Sequence, residues 1–235
     1  MKENNAELLE AQAVDILPFK AVIFDMDGTL LESTEADYKA WEKVFNDYGK
    51  ALSFADYVPL LGIKSANVIK EHLEKTEAED VKRILKEKFD YFVEWIEENP
   101  IQPVLGAEAF LKSLANYPVQ VALATSSRKE KMHLVLTQLN FKGFFEAIVT
   151  GDEVINSKPA PDIFLKAAER LGVAPEDCMV VEDGPVGVAA AKAAGMKCVA
   201  ITATHPAEKL QQADLIINTY ENADFKEICE RLSAV

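Results

Sequence analysis

Short apolar runs rich in β-forming residues recur along the chain. The first extends from Ala21 to Asp25, and five more of the same kind follow at 119–124, 147–150, 179–182, 198–201 and 214–217. Each run is apolar along almost its whole length instead of at alternate positions, which is typical of strands buried on both faces of a parallel sheet. The pattern therefore predicts six buried strands.

Helical patterns separate the later runs. Apolar residues at three- and four-residue spacing predict amphipathic helices over 107–116, 129–139, 161–171, 185–194, 207–212 and 222–232. Strand and helix thus alternate from about residue 104 to the end of the chain. That alternation predicts an α/β fold with a doubly wound parallel sheet.

The alternation is interrupted between residues 36 and 102. This stretch has no convincing strand pattern, but helical patterns cover 36–48, 64–73 and 78–97, and the Pro-containing segment 99–103 closes it. We interpret the stretch as a helical insert placed just after the first strand.

The N-terminal segment has a different character. Residues 1–18 predict a short helical arm that ends near Pro18. Their scattered carboxylates and the absence of a long apolar core distinguish the segment from a signal peptide or a membrane anchor.

The charge of the chain argues against two classes of partner. The formal net charge is −14, whereas a nucleic-acid-binding protein normally carries a basic face and an anionic membrane repels an acidic surface. No segment approaches the length of a membrane-spanning helix. We expect a cytoplasmic protein, a monomer or small homo-oligomer, that acts on a small molecule.

Cysteine usage agrees with that location. The three cysteines are Cys178, Cys198 and Cys229, and none belongs to a CxxC or a Cys/His ligand pattern. An odd number of cysteines outside such patterns indicates reduced thiols in a cytosolic protein.

Two carboxylates follow the first strand, at the edge of the sheet where ligands bind in doubly wound folds. Asp25 and Asp27 are separated by one residue, which places their side chains on the same face of the strand. Gly28 follows and permits a sharp turn. A carboxylate-capped turn is the ordinary alternative, but this placement at the end of a buried strand favours a chemical role.

Three further strand ends carry polar residues. The second strand is followed by Thr125 and Ser126, which suit an anion although such residues also cap helices. The third is followed by Lys158, which flanking prolines hold in place unless it is an ordinary surface lysine. The fourth is followed by Glu182 and Asp183, which resemble a site for a hard cation, with a helix N-cap as the alternative. Together the four strand ends offer the groups that phosphoryl transfer needs.

Four motifs in this order carry a resemblance to a known family. They are DMDGTL at 25–30, ATSS at 124–127, SKPAPDIF at 157–164 and VVEDGPVGVAAAKAAG at 180–195. The chain resembles the haloacid dehalogenase superfamily, in its branch of β-phosphoglucomutase and sugar-phosphate phosphatases. The resemblance implies a Rossmann-like catalytic core over 19–35 and 104–235, an inserted all-helical cap over 36–103 and an N-terminal extension over 1–18.

The resemblance also implies roles for the acidic residues. Asp25 matches the nucleophile that forms an aspartyl-phosphate, and Asp27 matches the acid/base residue. A bound phosphate dianion is expected to raise the pKa of Asp27 from about 3.9 and so to keep it protonated before the first step. Mg²⁺ is the implied cofactor, bound by the carboxylates of Asp25 and Asp183 and by the backbone carbonyl of Asp27. Glu182 is either a direct or an outer-shell ligand.

The remaining polar residues of the motifs match groups that bind phosphate. Thr125 and the backbone of Ser126 match the groups that hold the transferring phosphoryl group. Lys158 matches the lysine that offsets its charge and holds Asp25.

The insert is expected to supply the contacts to the rest of the substrate. Its segment 61–65 resembles the substrate-specificity loop of the family, so Lys64 is a candidate for substrate binding, and Arg128 of the core is a second. We expect the cap to close over the strand ends by hinges near 33–36 and 100–105, because closure excludes water from the aspartyl-phosphate.

Two positions favour a phosphatase over a phosphomutase. The β-phosphoglucomutase branch grips a second phosphate with an arginine in the specificity loop and a histidine after the first motif. Here Ser65 and Asp37 occupy those positions; Ser65 offers no guanidinium, and an anionic Asp37 is expected to repel a second phosphate. Asp27 argues against dehalogenation, because the dehalogenases lack this second aspartate.

The sequence thus predicts a Mg²⁺-dependent phosphatase of small phosphorylated metabolites, such as sugar phosphates. A phosphohexomutase of the β-phosphoglucomutase type is the alternative. A non-enzymatic binding protein on the same fold is a less favoured one, because the set of catalytic residues is complete.

Overall fold

The centre of the protein is a six-stranded parallel sheet. The computed structural model describes residues 17–234, so most of the arm predicted over 1–18 lies outside the described residues. The strands are β1 Ala21–Phe24, β2 Gln120–Thr125, β3 Ala147–Thr150, β4 Cys178–Glu182, β5 Lys197–Ile201 and β6 Leu215–Ile217. Their order across the sheet is β3-β2-β1-β4-β5-β6, and every neighbouring pair is parallel. The six predicted strands and the doubly wound arrangement are confirmed.

Both faces of the sheet are covered, which explains the unbroken apolar runs. Ala21 and Ile23 of β1 belong to one apolar cluster, and Val22 and Phe24 belong to another. Because successive side chains of a strand point to opposite faces, a strand with no polar position is buried on both.

Four helices form the predicted insert between β1 and β2. They are α1 Thr34–Asp47, α2 Phe54–Tyr57, α3 Ser65–His72 and α4 Ala78–Glu98. The short α2 was not predicted from the sequence; Ser53 caps it by accepting a hydrogen bond from the Asp56 backbone N–H at 3.2 Å. A third apolar cluster, which includes Trp41, Phe45 and Ile84, lies inside the insert. The predicted all-helical insert is therefore present.

The remaining helices cover the sheet. They are α5 Ala107–Leu114, α6 Lys129–Gln138, α7 Asp162–Leu171, α8 Pro185–Ala193 and α9 Phe225–Ser233. The helix predicted over 207–212 is wrong, since only a 3₁₀ turn forms at Ala207–Lys209. A single turn forms too few hydrogen bonds to offset the conformational entropy lost when a helix begins. The short distance along the chain to β6 leaves no room for a longer helix.

The two connections between the insert and the sheet run side by side. The Glu32 backbone N–H donates to the Gln102 carbonyl at 2.9 Å, and the Val104 N–H donates to the Leu30 carbonyl at 2.8 Å. Leu30 and Glu32 precede the hinge expected at 33–36, whereas Gln102 and Val104 fall within the one expected at 100–105. These hydrogen bonds hold the two ends of the insert together, and the hinge motion stays a prediction.

Two further features concern the surface and the thiols. Within residues 17–234, no helix is long and apolar enough to cross a membrane.

Cys178, Cys198 and Cys229 are all free and buried. Burial raises the pKa of Cys178 to about 12 and that of Cys229 to about 11, which leaves these thiols protonated and unreactive.

Candidate active site

The central strand β1 ends at the switch point of the sheet. It lies between β2 and β4: β2 and β3 follow on one side of it, and β4, β5 and β6 lie on the other. Doubly wound folds bind ligands at this point. Asp25, Asp27, Thr125, Ser126, Glu182 and Asp183 line one cavity here, of about 70 Å³, between the strand ends and the helical insert.

Lys158 contacts both Asp25 and Glu182. Its Nζ lies 2.6 Å from Oδ1 of Asp25 and 2.7 Å from Oε1 of Glu182, and its side chain is 1% exposed. Burial opposes its charge, but the two carboxylates outweigh that effect and raise the pKa of Lys158. Lys158 is thus a buried cation, not a surface lysine.

Asp25 has an elevated pKa of about 7. Burial is the largest cause; Lys158 opposes it, while Glu182 and Asp27 add to it. The carboxylate is therefore poorly compensated by protein groups alone.

Glu182 uses both of its oxygens within the protein. Oε1 accepts from Lys158, and Oε2 accepts from the backbone N–H groups of Asp183 and Gly184, each at 2.7 Å. This geometry favours the outer-shell alternative for Glu182, in which it positions Lys158 and the Asp183 loop.

Gly187 of α8 leaves the space that Glu182 occupies. A Cβ at Gly187 would lie 1.6 Å from Oε1 of Glu182. We expect Gly187→Ala to displace the carboxylate and lower stability by about 1–3 kcal/mol, with a loss of activity, as measured by denaturant unfolding and turnover. Gly143→Ala is the matched control, because a Cβ there meets nothing within 4 Å. Equal effects of the two substitutions would contradict this role of Gly187.

Asp183 is held by two threonines. Thr29 donates to its Oδ1 at 2.7 Å, and Thr204 donates to its Oδ2. Burial and the charges of Glu182 and Asp25 raise the pKa of Asp183 well above its ordinary value. Hydrogen bonds thus fix the orientation of this carboxylate without neutralising it.

The charges of this group fit a divalent cation. Asp25, Glu182 and Asp183 are buried carboxylates, and Lys158 is the cation that contacts two of them. Within residues 17–234, no three Asp, Glu, His or Cys side chains are arranged to hold a metal by themselves. Mg²⁺ needs only one or two carboxylates, because it keeps several waters. The donor set of Asp25, Asp183 and the Asp27 carbonyl therefore fits Mg²⁺.

Asp27 is positioned by three side chains that the sequence did not single out. Ser33 donates to its Oδ1 at 2.5 Å, Ser127 donates to its Oδ2 at 2.6 Å, and Lys131 Nζ lies 2.8 Å from Oδ1. Burial opposes the charge of Asp27, but the Lys131 ammonium outweighs it and lowers the pKa of Asp27. The protein groups therefore favour the ionised form of Asp27, and we expect a bound phosphate to oppose this effect.

Asp37 does not present a free negative charge to the cavity. Its Oδ1 accepts from Lys88 at 2.7 Å and from Lys131 at 3.0 Å, and its Oδ2 accepts from Tyr57 at 3.1 Å. The sequence argument that Asp37 repels a second phosphate therefore needs correction. Two lysines from distant parts of the chain compensate its charge. Ser65 lines the cavity as expected and offers no guanidinium.

Thr125 and Ser126 line the cavity as predicted, whereas Lys158 lies behind Asp25 and the two predicted substrate contacts lie elsewhere. Lys64 Nζ donates to the Val154 carbonyl at 3.2 Å, and Arg128 contacts Asp152 and Glu130 at 3.4 Å. Neither lines the cavity. The reason is local: each cation has a nearer acceptor on the core surface, and the sequence does not reveal those acceptors.

The sequence contained a signal for two of the residues near Asp27 and Asp37 that it did not single out. Ser127 is part of the ATSS motif, and Lys131 follows Ser127 by four residues on the next helix. Lys88 comes from α4 and gave no signal, because a lysine on an amphipathic helix is ordinarily solvated.

Comparisons with known proteins agree with the geometry. A phosphorylated carbohydrates phosphatase of Thermotoga maritima is 34% identical over 183 residues, covering 76% of this chain and 82% of the relative. A fructose-1-phosphate phosphatase of Escherichia coli is 31% identical over 182 residues, covering 77% of this chain and 95% of the relative.

Solved structures give the same result for the fold. The crystal structure of a β-phosphoglucomutase from Clostridium difficile superposes with a TM-score of 0.84 at 27% identity, over 92% of this chain and 98% of that one. A profile of haloacid dehalogenase-like hydrolases matches residues 22–201. The chain therefore belongs to the haloacid dehalogenase-like hydrolase family.

Proposed function

We propose that the protein is a phosphatase that transfers the phosphoryl group of a small metabolite first to Asp25 and then to water. The observation that carries this proposal is the contact of Lys158 with Asp25 at 2.6 Å, beside a second aspartate held by two serines. This pair supplies a nucleophile and an acid/base in one cavity.

The residues act in two steps. An Oδ atom of Asp25 attacks phosphorus, the bond to the leaving oxygen breaks, and protonated Asp27 gives its proton to that oxygen. Asp27, now a carboxylate, takes a proton from water as the water attacks phosphorus and releases Asp25. Thr125 and Ser126 hold the phosphoryl oxygens, and Lys158 offsets their charge.

We propose Mg²⁺ as the cofactor, held by the carboxylates of Asp25 and Asp183 and the carbonyl of Asp27. When bound, it supplies charge stabilisation for the transferring phosphoryl group and favours the ionised form of Asp25. The raised pKa values of Asp25 and Asp183, which burial and neighbouring carboxylates cause, support this assignment, because one Lys158 ammonium does not balance the buried carboxylates.

We expect Asp183→Asn to abolish stabilisation by Mg²⁺ and to leave the metal-free protein as stable as the parent or more stable. The substitution removes a buried charge that repels Asp25 and Glu182. Thermal unfolding with and without Mg²⁺ measures both effects; binding at 100 Kd contributes about 2.7 kcal/mol. Asp90→Asn, at an exposed position, is the control. Retention of the full Mg²⁺ effect in Asp183→Asn would exclude this residue as a ligand.

A small hydroxylated monophosphate is the proposed substrate. The cavity of about 70 Å³ is far smaller than the ~300–1,000 Å³ of sites for drug-sized ligands. Lys88, Ser65 and Asp37 line its insert side and can exchange hydrogen bonds with hydroxyl groups. The names of the relatives, a phosphorylated carbohydrates phosphatase and a fructose-1-phosphate phosphatase, support the same class.

A phosphomutase remains the second candidate, because the β-phosphoglucomutase structure is similar over nearly the whole chain. The missing arginine at Ser65 favours the phosphatase. We propose a small-molecule partner and a cytoplasmic location. The net charge of −14 supports the small-molecule partner over nucleic acid or an anionic membrane. We propose that the insert, residues 36–103, is the cap that closes on this substrate.

The test is a phosphate-release screen over sugar monophosphates with Mg²⁺ or with excess chelator, run beside conversion of β-glucose-1-phosphate. We expect free phosphate from several monoesters, with Mg²⁺ required and no isomerisation. Conversion to glucose-6-phosphate without free phosphate would support the mutase instead. Full activity in chelator would exclude the metal assignment.

A further inference from the structure

We propose that Lys131 is a positioning residue that couples the cap to the acid/base: it orients Asp27 through a bridge that is complete only when the helical insert covers the strand ends. The inference rests on the proposed acid/base role of Asp27. It assigns a function to a lysine that the sequence motifs do not include.

Lys131 bridges two carboxylates that belong to different parts of the fold. Its Nζ lies 2.8 Å from Oδ1 of Asp27, beside β1, and 3.0 Å from Oδ1 of Asp37, on α1 of the insert. Lys131 itself is on α6 and follows β2. One ammonium group thus connects the sheet edge, a core helix and the insert.

The insert surrounds the ammonium on its far side. The Lys131 Nζ lies 4.8 Å from the centre of the Phe92 ring of α4, within the range of a cation–π contact. Asp37 is itself fixed by Lys88 and Tyr57, which both come from the insert. If the insert moves away, Lys131 loses Asp37 and Phe92 together, and the second anchor of the bridge disappears.

The four charges of the bridge compensate one another. Before a phosphate binds, Asp27 and Asp37 carry two negative charges, and Lys88 and Lys131 carry two positive ones. Lys131 is 8% exposed and Lys88 is 9% exposed. Burying four charges carries a desolvation cost, and apolar groups of the same size often give equal or greater stability. Stability alone therefore gives no reason for this arrangement, whereas orientation of Asp27 does.

The position of the bridge has a chemical consequence. Asp27 has a proton to deliver to the leaving oxygen, so its orientation matters only when that oxygen needs a proton. A leaving group with a high pKa depends on the acid; phenol, like the tyrosine side chain, has a pKa of about 10. A nitrophenolate leaves readily without protonation. Loss of orientation should therefore affect the two esters unequally, whereas loss of packing or of substrate binding affects them alike.

The experiment compares kcat/KM for phenyl phosphate and para-nitrophenyl phosphate with saturating Mg²⁺. These esters share a ring and differ mainly in leaving-group ability, and kcat/KM reports on the steps up to phosphoryl transfer to Asp25. We expect Lys131→Met to lower kcat/KM for phenyl phosphate by about 10- to 100-fold, part of the ~10²–10⁴-fold that a general acid contributes. The value for para-nitrophenyl phosphate should fall less than about threefold.

Three further variants make the result specific. Asp37→Asn removes the insert end of the bridge and should show the same unequal loss. Lys131→Arg retains the charge and should recover part of the phenyl phosphate activity. Lys129→Met removes an exposed lysine from the same helix and should change neither ester. Thermal unfolding confirms that each variant is folded.

The outcomes separate this inference from the proposed function. Equal losses for both esters in Lys131→Met, or no loss, overturn the positioning role. Asp27→Asn should reproduce the unequal loss at larger size. If it spares phenyl phosphate, the acid/base assignment fails together with the inference. If the parent protein hydrolyses neither ester, the phosphatase proposal itself is contradicted.

Discussion

Asp25→Asn is expected to reduce turnover by about 10⁴-fold or more, as loss of the nucleophile does in other enzymes with covalent intermediates. Asparagine has nearly the shape of aspartate but provides no carboxylate to attack phosphorus. Lys158 keeps Glu182 as a partner, so the fold should persist. The measurement is phosphate release from the best substrate of the screen, with mass spectrometry for the covalent phosphoryl group.

The control for this substitution is Asp90→Asn, which makes the same change at an exposed position of α4. Exposed ion pairs contribute about 0–1 kcal/mol, so activity and stability should both persist. Residual turnover of Asp25→Asn above about 1% of the parent, in protein proved free of deamidation, would exclude Asp25 as the nucleophile.

Lys158→Met is expected to have the largest effect on stability, with a loss of about 3–5 kcal/mol in the free energy of unfolding. The substitution leaves Asp25 and Glu182 buried without their shared cation. Activity should also disappear, because the cation that holds Asp25 and shares in offsetting the charge of the phosphoryl group is lost. Denaturant unfolding in metal-free buffer measures the stability.

A second variant distinguishes this electrostatic cause from simple loss of packing. Glu182→Gln added to Lys158→Met removes one of the uncompensated charges and should recover part of the lost stability, as a double-mutant cycle measures. Lys86→Met is the surface control, since the Lys86 side chain is 75% exposed. A stability loss below about 1 kcal/mol in Lys158→Met would contradict a buried ion pair at this site.

The sequence pattern predicted the strands well, because the sheet is buried on both of its faces. All six strands were predicted with ends within a residue or so, because strands covered on both faces have no polar positions to obscure them. Long helices such as α4 were also predicted, since their apolar face must meet a core. Prediction was wrong at 207–212 and missed α2, where a single turn depends on capping and on the path of the chain.

The sequence also predicted which residues meet at the ends of β1, β2 and β4. That conclusion is a consequence of topology: parallel strands end at one edge, so residues that follow them converge there. Asp25, Thr125 and Asp183 line the cavity for this reason. The roles of these residues stay predictions until the variants are measured.

The sequence by itself determined the set of groups attached to the strand ends, because the apolar strand runs and the short motifs that follow them are local properties of the chain. Only the tertiary structure decided which charges compensate one another. The Lys131 ammonium reaches Asp37 across 94 positions of sequence, and that of Lys88 reaches it across 51. Long flexible side chains take the partner that folding places within about 3 Å, and no spacing along the chain encodes that choice. For the same reason, Lys64 and Arg128 contact acceptors outside the cavity, and the charge of Asp37 is compensated by lysines.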